Sequence, residues 1–129
     1  MPLVTFVIWF PSSKKILLII CGGIAAYKSL ELIRLLKKDG VSIKTILTKS
    51  GAEFVTPLSI TSLSQSKVYQ DLFSIEDETE MDHISLSRWA DLILIAPATA
   101  NTISKLANGN SDDLASTVAL ASNKQIFIA

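Results

Sequence analysis

The stretch "KKILLIICGGIAAYKSLELIRLLKKDG" (residues 14–40) decides how this chain folds. Five consecutive apolar residues, Ile16, Leu17, Leu18, Ile19 and Ile20, lead into Cys21 and the glycine pair Gly22 and Gly23. An unbroken apolar run of that kind fits a strand buried on both faces, as the strands of parallel sheets are. Behind the glycines, Ile24, Tyr27, Leu30, Ile33 and Leu36 recur at helical spacing, so a helix is expected over residues 24–38. Lys37 and Lys38 suit the negative end of its dipole, and Gly40 stops it. A strand that hands over to a helix through two glycines leaves backbone amides open at the helix start. Such a turn accepts an anion, most often phosphate, although a glycine pair after a strand also serves a plain tight turn.

Outward from this unit the alternation repeats. Residues 41–47 ("VSIKTIL") read as a second strand, followed by a short helix around residues 52–55. Thr56 is placed to cap a further helix whose first residue is Pro57. Residues 74–91 are the most polar stretch, and their acidic run reads as a solvated loop. Residues 92–99 ("LILIAPAT") form another buried strand ended by Pro97, with Thr99 or Asn101 as cap of a helix reaching residue 107. A turn over residues 108–113, a small-residue helix over 114–121 and a strand from residue 125 complete the pattern. Strands alternating with helices imply βαβ units, hence a three-layer α/β fold of flavodoxin-like (Rossmann-like) type around a parallel sheet.

Composition narrows the function. The chain has 129 residues, 49% hydrophobic and 19% charged, with 12 basic and 12 acidic residues in balance. That is a globular composition for one domain, with no global attraction for nucleic acid. Its single cysteine excludes an internal disulfide framework, and its single histidine leaves no His/Cys cluster for zinc. Cys21 reads as a small buried residue rather than a nucleophile. Residues 2–10 are apolar but too short for a membrane span, and without the flanks of a secretory signal. Residues 1–13 are therefore expected to form an arm outside the main domain of residues 14–129. The expected location is the cytoplasm.

In doubly wound sheets, ligands bind beyond the carboxyl ends of the strands. Three segments share that rim: "CGGIAAYK", "TKSGAEF" and "APATANT". Hydroxyls of Thr48 and Ser50 supply neutral donors beside the glycine turn, while Thr99, Asn101 and Thr102 mark another polar helix start. Neither a G-x-G-x-x-G fingerprint nor a Walker loop is present. Polar helix starts converging on one rim favour a phosphorylated cofactor. His83, taken alone, reads as a polar surface or helix-start residue.

The segments "GGIAAYK", "TKSGAEFVTPLS", "DHISLSRWADLILIAPATANTISKLANGNSDDLAST" and "IFIA" together resemble the homo-oligomeric flavin-containing cysteine decarboxylases, over nearly all of the chain after residue 13. The resemblance implies FMN as cofactor, its phosphate held by Gly22, Gly23, Ile24, Thr48 and Ser50. Thr99, Ala100, Asn101 and Thr102 would lie against the flavin ring and ribityl chain, with Phe54 approaching the ring. His83 would be the catalytic histidine, which suits an imidazole whose unperturbed pKa is about 6.5. The implied activity is decarboxylation of phosphopantothenoylcysteine to phosphopantetheine in coenzyme A synthesis. Peptidyl-cysteine decarboxylation and a non-catalytic FMN-binding or regulatory subunit are the alternatives. The implied assembly is a homotrimer or a trimer of trimers. The family pattern continues past "IFIA" with a "PAMN"-type motif and a flap cysteine. The expectation is thus a flavin domain cut short at its C-terminus, its activity impaired or completed by a separate polypeptide.

Overall fold

The computed structural model describes residues 14–70 and 83–129. The proposed arm of residues 1–13 and the acidic run up to residue 82 lie outside the described residues. The elements, in order, are β1 (Lys15–Ile20), α1 (Ala26–Lys38), β2 (Ser42–Leu47), a 3-10 turn (Gly51–Glu53), α2 (Pro57–Ser64) and β3 (Val68–Tyr69). They continue with α3 (His83–Trp89), β4 (Leu92–Ile95), α4 (Ala100–Ala107), α5 (Leu114–Ala121) and β5 (Gln125–Ile128). The five strands form one sheet in the order β3-β2-β1-β4-β5, every pair parallel.

The apolar run of β1 is buried on both faces, as its composition requires. Ile16, Leu18 and Ile20 join the core beneath α1 and α2, while Leu17, Ile19 and Cys21 join the core shared with α3 and α5. β4 divides in the same way, Leu92 and Leu94 to one side and Ile93 and Ile95 to the other. Two cores separated by one sheet make the three-layer fold expected from the alternation.

The short elements follow local rules. Thr56 caps α2 by accepting from the Ser59 amide at 3.1 Å, with Pro57 in the first turn. Thr99, rather than Asn101, caps α4, accepting from the Thr102 amide at 3.1 Å. Asp113 and Ser116 form a reciprocal capping box at the start of α5.

One expectation shifts. α1 starts at Ala26 and buries Ala26, Ser29, Leu32, Ile33 and Leu36. Of the expected stripe, Ile33 and Leu36 are buried, whereas Ile24 and Tyr27 are not. Those two are 81% and 58% exposed. The reason is close approach: the small side chains of Ala26 and Ser29 let α1 lie against the sheet. The Ser29 hydroxyl donates to the Ala96 carbonyl at 2.6 Å. The end of the polar stretch forms the helix α3, with Leu86 and Ala90 buried against the second core. The two-residue edge strand β3 carries too little pattern to be legible beforehand.

Because β1 belongs to both cores, truncating it is felt throughout. Leu18→Ala is expected to cost about 2–5 kcal/mol, the range for a buried Leu→Ala cavity. Urea unfolding with an unchanged m-value measures it, and a loss below about 1 kcal/mol would contradict this description of the core.

Candidate functional site

The sheet order reverses direction at β1, with β2 on one side and β4 on the other. That is the switch point where an α/β sheet opens a crevice beyond its strand ends. Cys21 leaves β1 with its amide donating to the Pro97 carbonyl at 3.2 Å, and this ties the glycine turn to the segment after β4. On the β2 side, the Thr48 amide donates to the Ile20 carbonyl at 3.1 Å. The glycine turn is thus pinned between the loops that follow β2 and β4.

Both glycines are required there. A Cβ on Gly22 would stand 2.7 Å from the Ser50 Cβ and 3.1 Å from its carbonyl carbon, too close to tolerate without moving the Ser50 backbone. Gly23 has φ of 144°, a conformation that side chains strongly disfavour. Among the described residues, the amides of Gly22, Gly23 and Ile24 donate no hydrogen bond within the chain. Open amides, a helix start and no Cβ in the way form a cradle for an anion.

Thr48 faces this turn. Its Oγ1 donates to the Ile20 carbonyl at 3.2 Å, accepts from the Gly51 amide at 3.1 Å and lies 3.3 Å from the Ser50 Oγ. A cavity of about 280 Å³ opens here, walled on one side by Thr48, Lys49, Ser50 and Glu53. The opposite wall is Asn101, Thr102 and Lys105 of α4 together with Asp113. Thr102 is buried, and its Oγ1 accepts from the Thr99 hydroxyl at 3.1 Å and lies 3.3 Å from the Cys21 Sγ. Burial pushes the Cys21 thiol up, with the Thr102 contact opposing it. The thiol is fully enclosed, in keeping with a packing residue.

Of the residues singled out from sequence, Thr48, Ser50, Asn101 and Thr102 line one cavity, and Gly22 abuts it through Ser50. Thr99 spends its hydroxyl on capping and on Thr102. Ile24, Phe54 and Ala100 are exposed on the rim and are not among the cavity's lining residues. His83 opens α3, at the end opposite Trp89, and Asp91 just beyond that helix holds the Lys15 amide at the amino edge of the sheet. Lys49, Glu53, Lys105 and Asp113 were not anticipated. Lys105 was accessible in principle, because it stands four residues after Asn101 and three after Thr102 on the same helix face.

Lys105 bridges two carboxylates, 3.0 Å from Asp112 and 3.2 Å from Asp113. Its ammonium is raised above the ordinary value by the hydrogen bond to Asp112, with Asp113 adding to it and burial opposing. Burial pulls the Asp113 carboxyl upward, yet the hydrogen bonds from Ser116 and Lys105 outweigh it and leave the group below the usual carboxylate range.

A doubly wound sheet with open amides and a polar cavity at its switch point is an arrangement suited to phosphorylated ligands. The Flavoprotein family profile matches residues 11–129, and the chain belongs to that family. It is 48% identical over 118 residues to the coenzyme A biosynthesis bifunctional protein CoaBC of Haemophilus influenzae, covering 92% of this chain. The chain spans 30% of that relative's length. Among solved structures, the FMN-dependent cysteine decarboxylase SpaF superposes with a TM-score of 0.83 at 28% identity, covering 93% of this chain and 69% of that one. The peptidyl-cysteine decarboxylase EpiD gives 0.73 at 27% identity, covering 89% and 69%. No helix among the described residues is long and apolar enough to cross a membrane.

The enclosure of Cys21 carries a direct expectation. In the folded protein its thiol should resist a colorimetric disulfide reagent at neutral pH and react fully in denaturant. Rapid labelling of the native protein would contradict the packing described at the switch point.

Proposed function

We propose that this chain binds FMN and contributes the flavin site for decarboxylation of phosphopantothenoylcysteine to phosphopantetheine. The observation that carries the reading is the Gly22 cradle. It is a turn that no Cβ can enter, with open amides, facing the Thr48 and Ser50 hydroxyls across the switch point. A phosphate monoester fits this donor set, because backbone amides and neutral hydroxyls stabilise its charge and the helix start adds the positive end of a dipole. The amides of Gly22, Gly23 and Ile24 with Thr48 and Ser50 would hold the phosphate. Thr99, Ala100, Asn101 and Thr102 would border the ribityl chain and ring, and exposed Phe54 would meet the ring from the rim.

When bound, FMN supplies reversible two-electron chemistry at the cysteinyl group, so that loss of CO2 is redox-neutral overall. The protein's part is to orient and to move protons. We assign the proton-transfer role to His83, whose imidazole can exchange a proton near neutral pH. Identity favours the pantothenoyl substrate over a peptide, at 48% to the CoaBC relative against 27% to EpiD. Ile24, Tyr27, Phe54 and Leu58 are exposed at the starts of α1 and the 3-10 and α2 region. Such an apolar rim beside the site supports assembly of copies of this chain. The resemblance to the family carries the proposal of a homotrimer or a trimer of trimers, and the cytoplasm is the proposed location.

The first test is the visible absorption of the purified protein, with identification of any released chromophore. Flavin bands with FMN released are expected, and a protein that stays colourless after incubation with FMN overturns the reading. Gly22→Ala should lower FMN affinity by displacing the Ser50 loop, as read by quenching of flavin fluorescence. With bound FMN shown, CO2 release from phosphopantothenoylcysteine tests the activity against a peptide ending in cysteine. His83→Asn should retain FMN yet lose turnover by about 10²–10⁴-fold, the usual reach of a general acid–base group. Turnover on the peptide alone would move the assignment to the peptidyl branch. FMN binding with no turnover on either would leave a cofactor-binding subunit.

A further inference from the structure

The cavity wall formed by α4 is weakly anchored by packing. Of its eight residues only Thr102 is buried, and Ile103 is 43% exposed. The helix has its apolar anchor in Leu106, partly buried against the second core. Two polar ties complete the attachment. Thr102 meets Cys21 at one end, and at the other the Lys105 ammonium reaches the segment that opens α5. The Lys105 side chain is only 18% exposed and bridges Asp112 and Asp113. Asp113 is in turn fixed, since its Oδ1 accepts from the Ser116 amide at 2.8 Å as the cap of α5. α5 is anchored in the second core through Leu114, Ala115 and Val118.

We infer that Lys105 is a positioning residue for the proposed cofactor site, holding α4 through Asp112 and Asp113 so that Asn101 and Thr102 face the cavity. The inference rests on the FMN reading above. An obvious alternative makes Lys105 a direct anion ligand, but two carboxylates already take up its charge. A lysine so engaged serves as a strut between α4 and α5 rather than as a free cation. Geometry favours the same role. Asn101 and Thr102 lie one turn before Lys105 on one helix face, so a rotation or lift of α4 at Lys105 moves both cavity residues.

The test compares FMN titrations and the visible absorption and circular dichroism of the flavin-saturated protein. Lys105→Met should raise the FMN dissociation constant by about fivefold or more, the scale of coupled contacts, and should shift the flavin bands at saturation. Lys105→Arg should restore both. The double variant Asp112→Asn/Asp113→Asn removes both carboxylates while keeping the α5 cap, because Asn caps about as well as Asp. It should reproduce the spectral shift, and adding Lys105→Met to it should change little more. A lower melting temperature with an unchanged spectrum and affinity at saturation would overturn the positioning role. Full additivity of the Lys and Asp substitutions would also overturn it. A wild-type protein that takes up no FMN would overturn the FMN reading and this inference together. Wild-type binding with an indistinguishable Lys105→Met variant overturns the inference alone.

Discussion

Everything in this fold hangs on a strand with no solvent face. The side chains of β1 from Ile16 to Ile20 are fully buried, odd and even positions feeding opposite cores. Such a strand is stable only with helices on both sides and parallel neighbours at both edges. Those conditions oblige the chain to cross the sheet repeatedly, and the crossovers bring the loops after β1, β2 and β4 to one edge. The site is a consequence of burying β1. Segments 81 residues apart in the chain meet there, as the Cys21–Thr102 contact shows, and no local interaction would bring them together.

At that edge the molecule relies on small groups rather than charges. The turn after β1 is shaped by a glycine that cannot carry a Cβ and by another in a conformation that disfavours side chains. The facing donors are hydroxyls and amides. Charged groups do line the cavity, but Lys105 is matched by Asp112 and Asp113. In the proposed reading a dianionic phosphate would be held by aligned dipoles, while the ion pairs would shape the wall.

The contrast between α1 and α5 shows what patterning can and cannot convey. For α5 the sequence reading set the same bounds that the structure has, because the turn of residues 108–113 precedes it and small residues fill it. For α1 the apolar period pointed to a face that includes Ile24 and Tyr27, yet the helix buries Ala26 and Ser29 instead. Periodicity counts hydrophobic side chains, whereas close packing at a crossover selects small ones. The same limit hid part of the cavity. Thr48, Ser50, Asn101 and Thr102 were legible as polar residues at strand ends and helix starts. Lys105 and Asp113 were not, because their meaning lies in each other.

By itself the sequence determined the class of fold, the glycine turn and the hydroxyl-bearing residues that stand beside it. Each of these is written in short-range chemistry: unbroken apolar runs, glycines after a strand, and threonines that cap helices. Only the tertiary structure decided which face of α1 meets the sheet, which rim residues share a cavity and how α4 is braced. Those outcomes depend on distances between segments remote in sequence. They are set by how closely backbones approach and by which charges meet across the crevice, and neither quantity is encoded in any local pattern.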